Sequence, residues 1–113
     1  MNKSAYIERW RETRDYQDRG VTFTFKADDG TIQTGTGAIS RGADETVLAL
    51  AGLLIDYTHT IEVEIADFTK TKPYKTREFV VTTGPFAARY QILRVKPDDL
   101  GALYEIDLGA VLK

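Results

Sequence analysis

The sequence predicts a mainly β fold: a small antiparallel β-barrel or sandwich of about six to seven strands with one N-terminal α-helix. Two patterns predict it. Before Gly20 the apolar residues recur every three or four positions, as in a helix, and after it they recur at every second position, as in a strand. From there on, short alternating stretches are separated by turn residues about every 8 to 12 positions, which is typical of barrels and sandwiches. A chain of 113 residues fits a single domain, 1–113, with the helix over 4–18 and the barrel over 21–113.

The first element is predicted to be a helix that begins at Ser4, whose hydroxyl can cap the free amides of the first turn. Ile7, Trp10 and Arg14 recur at helical spacing and form a narrow, partly apolar face. Gly20 is expected to end the element, since glycine readily takes the left-handed conformation that closes helices.

The next two strands are predicted to form a hairpin. Residues 21–26 alternate apolar and polar, and Asp28-Asp29-Gly30 is a tight-turn sequence. In the following stretch, 31–40, Ile32, Thr34 and Thr36 share one face. Glycines at 35 and 37 interrupt the pattern, so we expect an irregular or bulged strand there.

Residues 46–55 form a continuous apolar run that fits either a buried strand or a short buried helix. Leucine and alanine favour the helix, whereas Gly52 and the short length weaken it. A strand that ends near Leu50 and is followed by a bend is slightly preferred.

The second half of the chain has clearer strand patterns. In 60–66, Ile61, Val63 and Ile65 are expected to point inward and the residues between them outward. A polar connection over 67–77 follows. Further strands are predicted over 78–82, 88–95 and 103–108, joined by turns at 83–85 and 96–101. In the 88–95 strand, Tyr90, Ile92 and Arg94 would share a face.

Composition excludes several classes of protein. The chain has no cysteine and one histidine, so thiolate metal sites, disulfide scaffolds and cysteine nucleophiles are excluded. A net charge of −2 argues against a protein that binds nucleic acid over its whole surface. The N-terminus has no apolar signal-peptide stretch, and the longest apolar run is about half of a membrane span. We therefore expect a soluble protein that is made in a reducing cytosol or is indifferent to redox state, with no membrane partner.

No motif predicts catalysis, so we expect no enzyme, no catalytic residues, no cofactor and no metal. The sequence contains no Gly-x-Ser-x-Gly nucleophile motif for which His59 could act as the base. We therefore expect His59 at the surface or at a strand edge. The glycine-rich region 30–42 lacks the spacing of a phosphate loop. Acidic pairs in predicted turns are expected to cap backbone amides rather than chelate a cation. These pairs are Asp28-Asp29, Asp44-Glu45 and Asp98-Asp99.

Two groups of residues are candidates for binding. The first is the basic connection, in which four cations could follow a phosphate backbone and an aromatic ring could stack on a base or sugar. Its members are Lys70, Lys72, Tyr74, Lys75 and Arg77. The alternative is a solvated loop whose lysines protect a sheet edge. The second group is Tyr6, Trp10 and Arg14 on the helix, which fit either core packing or a subunit contact.

The run ARYQILRVKPDDLGALYEIDLG, 88–109, resembles the end of the small head–tail joining, or head-completion (connector), proteins of tailed phages. The preceding TREFVVTTGPF, 76–86, is similar to the strand and turn that lead into it there. Those proteins combine a short helical segment with a small β-barrel at a similar length. Residues 46–55 have no counterpart in that pattern.

The resemblance implies a structural virion protein that is assembled in the host cytoplasm. Such proteins form a homo-oligomeric ring below the portal, retain packaged DNA and provide the platform on which the tail docks. The implied partners are a portal or adaptor protein, tail proteins and, through the 67–77 loop, non-specific DNA in the lumen. Two alternatives stay open: a tail terminator ring protein, and a stand-alone β-barrel module that binds a peptide, glycan or single-stranded nucleic acid.

Overall fold

The computed structural model describes residues 2–41 and 57–110. Within them lie one α-helix and six strands, and a 3₁₀ turn at Ile65–Asp67 follows the third strand. The bounds are α1 Lys3–Tyr16, β1 Gly20–Lys26, β2 Ile32–Arg41, β3 Tyr57–Glu64, β4 Glu78–Val81, β5 Ala88–Pro97 and β6 Leu103–Ala110. The strands form a closed antiparallel barrel in the order β1-β2-β3-β6-β5-β4. The predicted small barrel with an N-terminal helix is confirmed, while the run 46–55 lies outside the described residues.

Large apolar side chains fill the barrel interior. The Phe23 ring stacks between Phe68 and Phe79, at centroid distances of 5.5 and 4.9 Å. Ile61 and Val63 of β3 point inward and are buried, as their alternation predicts. The remaining core members are Val21, Phe25, Ile39, Val81, Tyr90, Ile92, Tyr104, Ile106 and Leu108. The interior is therefore a packed core, and binding sites have to be sought on the outer surface.

The prediction of a bulged strand at the glycines is wrong. β2 pairs with β1 in an unbroken register from Gly20 opposite Ala38 to Lys26 opposite Ile32. A Cβ on Gly35 would approach Phe23 Cζ to 2.9 Å, and one on Gly37 would approach the Glu62 carbonyl oxygen to 2.8 Å. The glycines thus make room for the core and for the neighbouring strand, without any need to distort β2.

The irregularities lie in β3 and β5 instead. The register shifts between Tyr57 and His59 in β3, and between Ile92 and Arg94 in β5. Because the second shift adds one residue to the alternation, Arg94 faces outward and is exposed, while Val95 packs against the core. Arg94 therefore does not share the inner face of Tyr90 and Ile92, contrary to the prediction.

Both predicted ends of the helix are corrected. The N-cap is Asn2, whose side-chain oxygen accepts a hydrogen bond from the Ala5 amide at 2.8 Å, so the helix begins at Lys3 rather than after Ser4. At the other end Gln17 is the C-cap, and Asp18 takes the left-handed conformation with φ of 55°. Gly20 already belongs to β1.

Candidate functional site

The basic loop, residues 68–77, runs between the 3₁₀ turn and β4 and packs against the β1–β2 turn. The buried Gln33 side chain of β2 holds its start. Its amide oxygen accepts from the Lys70 amide at 2.9 Å, and its Nε2 donates to the Thr71 carbonyl at 3.0 Å. The Thr71 hydroxyl accepts from the Asp28 amide at 2.9 Å. A buried side chain with its hydrogen bonds satisfied gives the loop a defined position on the barrel.

Asp28 holds the end of the basic loop. Its Oδ1 accepts a hydrogen bond from Arg77 Nη1 at 2.6 Å and another from the Tyr74 hydroxyl at 2.9 Å. Arg77 Nη2 also donates to the Lys26 carbonyl at 2.7 Å. The guanidinium lies 5.1 Å from the centroid of the Tyr74 ring and 5.6 Å from that of Phe25. Two of the five predicted DNA-contacting residues, Tyr74 and Arg77, are thus engaged within the chain.

Lys70 is also paired, although more loosely. Its ammonium lies 3.5 Å from Asp29 Oδ2, and both side chains are about half exposed. Asp29 Oδ1 accepts from the Thr31 amide at 2.8 Å. Hydrogen bonds from Thr31, followed by the Lys70 charge, lower the pKa of the Asp29 carboxyl. The prediction that this acidic pair caps a turn is therefore confirmed for Asp29.

Lys72 and Lys75 differ from the other members of the group. Both are exposed, and the described parts of the chain give neither one an ion-pair partner. Pro73, between them, is buried. Four cations of the loop therefore face two carboxylates, Asp28 and Asp29, and two positive charges stay uncompensated.

The alternative role of these lysines was protection of a sheet edge. The described strands close into a barrel, in which every strand has a neighbour on both sides. The closure is not complete along every strand, because β1 pairs with β4 only at Phe23 and Thr24, and β2 pairs with β3 only from Gly37 onward. Protection of these short open stretches and a solvated loop both remain alternatives to a binding role.

The second predicted group lies where α1 meets the barrel. Arg14 is almost covered, with 12% of its side chain exposed, and donates to the Thr36 hydroxyl of β2 at 3.0 Å. Its guanidinium lies 5.2 Å from the Trp10 ring centroid. Arg11 donates to both carboxylate oxygens of Glu64 on β3. Charged hydrogen bonds thus fasten the helix, since none of its residues is fully buried.

Tyr6 and Trp10 are half-buried beside the barrel. Burial, and then the charges of Asp98 and Glu62, raise the pKa of the Tyr6 hydroxyl. The indole nitrogen of Trp10 is buried and has no hydrogen-bond partner in residues 2–41 and 57–110. The group therefore forms part of the packing of α1, and whether it also contacts another subunit stays a prediction.

His59 is only partly at the surface, and it does not lie at a strand edge, which was the other position expected. It is half-buried in β3, which pairs with both β2 and β6. Its ring packs 4.6 Å from Phe86 and 5.4 Å from Tyr90, measured between centroids. Burial, and then the Arg41 charge, lower the pKa of this histidine. Its position is that of a packing residue at the end of the barrel core.

Comparisons with protein-family models, curated proteins and solved structures gave no match. In the described ranges, no three histidine or acidic side chains group so that they could hold a metal ion. The same ranges contain no helix with the length and apolarity needed to cross a membrane.

Sequence reasoning missed the residues that position the loop and the helix. Gln33 gave a weak signal, since it is a polar residue in phase with the inward-facing glycines of β2. The role of Glu64 could not be read from the sequence, because its partner Arg11 is 53 positions away. The alternation predicts that Glu64 points outward, but its burial and its pairing with Arg11 of α1 depend on the tertiary structure.

Proposed function

We propose that the protein is a structural subunit of a tailed phage or phage-like particle that joins head to tail as a ring below the portal and helps to retain packaged DNA. The observation that carries the proposal is the architecture around the resembling segment. Residues 76–109 form β4, β5 and most of β6, which lie side by side in a closed barrel preceded by one helix. The combination of a short helix with a small β-barrel fits what the resemblance implies.

Four large apolar side chains are exposed among the described residues. Tyr16, at the end of α1, is 93% exposed, and Ile32 at the start of β2 is 55% exposed. Leu100 is 44% exposed in the β5–β6 turn, and Tyr74 is 41% exposed on the basic loop. They lie at helix ends, strand ends and turns, as separate points on the surface. In the proposed ring, these are the apolar side chains available to neighbouring subunits and to the layers above and below.

The test is deletion of the gene from the genome that encodes it, followed by electron microscopy of the induced particles. A connector predicts heads that lose their DNA and accumulate beside complete, unattached tails. Complementation with the intact gene should restore joined particles. Heads accompanied by tails of abnormal length would identify the tail terminator instead. Normal, infectious particles would contradict both structural roles and leave the stand-alone binding module.

A second experiment locates the protein. A tag placed after Lys113 should appear as a ring between portal and tail in averaged images of joined particles. Absence of the tag from purified particles would contradict the proposal even if the deletion phenotype resembled that of a connector.

A further inference from the structure

We infer that the basic loop is a preformed site for the phosphodiester backbone of nucleic acid, in which Lys72 and Lys75 contact phosphates and the other members of the group hold the loop in shape. The inference concerns the purified chain alone. It is tested separately from the proposed role in a particle, and either one can fail without the other.

The contacts within the chain show which cations of the loop are already paired and which are not. Arg77 donates hydrogen bonds to Asp28 and to the Lys26 carbonyl, and Lys70 forms an ion pair with Asp29. Lys72 and Lys75 are exposed and meet no carboxylate among the described residues. An ammonium group on a flexible stem contacts phosphate as a point charge and needs no fixed hydrogen-bond geometry. These two lysines are therefore the cations available to an external anion.

The loop is held in place before any ligand arrives. Gln33 fixes its first residues, Asp28 fixes its last ones, and Pro73 is buried between the two lysines. A backbone that is already ordered loses little conformational entropy on binding. Only the two lysine side chains remain to be ordered.

The contacts of Tyr74 favour binding to phosphate groups over stacking of its ring on a base. Its hydroxyl is bonded to Asp28, and the Arg77 guanidinium lies over its ring. The hydroxyl and one face of the ring are thus engaged within the chain, whereas Lys72 and Lys75 are open to a phosphate. Backbone contact alone predicts binding without sequence preference, to duplex and single strand alike.

The experiment measures binding of fluorescent duplex and single-stranded DNA by anisotropy, starting at about 10 mM salt, where charges act over about 30 Å. Two phosphate contacts predict that each fourfold rise in salt lowers the affinity about twelvefold for duplex and about sevenfold for single strands. The double variant Lys72→Gln with Lys75→Gln should lose about tenfold or more in affinity and most of the salt dependence. Lys72→Arg with Lys75→Arg should keep both.

The matched control is Lys3→Gln with Lys96→Gln, which removes the same charge from two exposed lysines elsewhere. This control should bind within about twofold of the wild type. An equal loss in the control would overturn the inference, because binding would then depend on total charge. Absence of binding by the wild type, unchanged binding by the loop variant, or binding confined to single strands would each overturn it as well.

A final arm uses a polyglutamate peptide of the same charge as the DNA. Tighter binding of the peptide than of DNA would assign the loop to an acidic protein partner and overturn the inference. Melting temperatures of all variants should match that of the wild type, because none of the substituted lysines is buried or paired in the described residues.

Discussion

Arg11 on the helix donates two hydrogen bonds to Glu64 on the barrel, from Nε to Oε2 at 3.0 Å and from Nη2 to Oε1 at 2.5 Å. The Glu64 side chain is 8% exposed, whereas half of the Arg11 side chain is exposed. The pair is the two-point contact that arginine and a carboxylate form best. It joins α1 to the outer face of β3, on a helix that buries no residue fully.

Arg11→Ala should destabilise the protein by about 1–2 kcal/mol, because it leaves a buried carboxylate without a partner. Glu64→Gln should cost less, since the arginine left behind can turn into water. Urea unfolding of both single variants and the double variant measures the coupling between them. Arg9→Ala, on the same helix and exposed, is the control. If Arg9→Ala lowered the free energy of unfolding by the same amount, the loss would come from helix propensity and not from the ion pair.

Asp28→Asn should loosen the basic loop, because it removes the charge that Arg77 and the Tyr74 hydroxyl share. The expected loss of stability is about 0.5–1 kcal/mol, since the pair is partly exposed and screened by water. Hydrogen exchange of the amides in 70–77 should become faster, while the β6 amides keep their rate. Asp99→Asn, an exposed acid in the β5–β6 turn, should leave the loop unchanged.

Gly35→Ala and Gly37→Ala should each destabilise the protein by about 1–3 kcal/mol, the range that overpacking brings. The new methyl group at 37 meets the Glu62 carbonyl of the neighbouring strand, at 2.8 Å. That backbone is held by pairing on both sides and cannot move aside. At 35 the methyl group meets the side chains of Asp67 and Phe23, and the buried Phe23 ring is held between Phe68 and Phe79. Thermal unfolding of either variant at the wild-type temperature would contradict this account of β2.

Asp67→Asn should stabilise the protein at neutral pH. Burial, and then the negative charge of Glu64, raise the pKa of the Asp67 carboxyl above 3.8, although Arg11 acts in the opposite direction. The folded state therefore binds this proton more tightly than the unfolded state does. The associated stability is present below pH 3.8 and is lost as the pH rises through the folded-state pKa.

The variant should abolish that loss, and its stability curve should diverge upward from the wild-type curve between pH 4 and neutrality. Asp99→Asn, in which an exposed acid of the β5–β6 turn is neutralised, controls for net charge. Curves that stay parallel over this pH range would show that Asp67 titrates normally.

His59 should titrate below 6.5 when its ring carbon protons are followed by NMR, because burial and Arg41 disfavour the charged form. Stability linked to this group is then complete above the unfolded pKa of 6.5 and is lost as the pH falls through that value toward the folded pKa. Arg41→Gln should raise the pKa of His59 only in part, since burial is the larger cause. A titration above 6.5 in the wild type would contradict the packing of His59 against Phe86 and Tyr90.

The strands could be predicted because their cause is local. Ile61 and Val63 alternate with Thr60, Glu62 and Glu64, and any extended chain with that pattern presents one apolar face. The turn at Asp29 follows from the same kind of local chemistry, a carboxylate that caps a nearby amide. The prediction of a bulge at the glycines of β2 was wrong because the role of these glycines depends on residues far away in the sequence. Their space is occupied by side chains from other elements, Phe23 and Asp67 among them.

Periodicity, turn chemistry and charge are properties of neighbouring residues, so the fold class, the approximate strands and the place of the basic cluster can all be predicted from the sequence. Which cations are already neutralised depends on how distant segments meet in the folded chain. Lys70 and Arg77 meet Asp29 and Asp28 across 41 and 49 positions of sequence, and that meeting leaves Lys72 and Lys75 to the solvent. Ion pairing depends on distance in space, and barrel closure sets that distance.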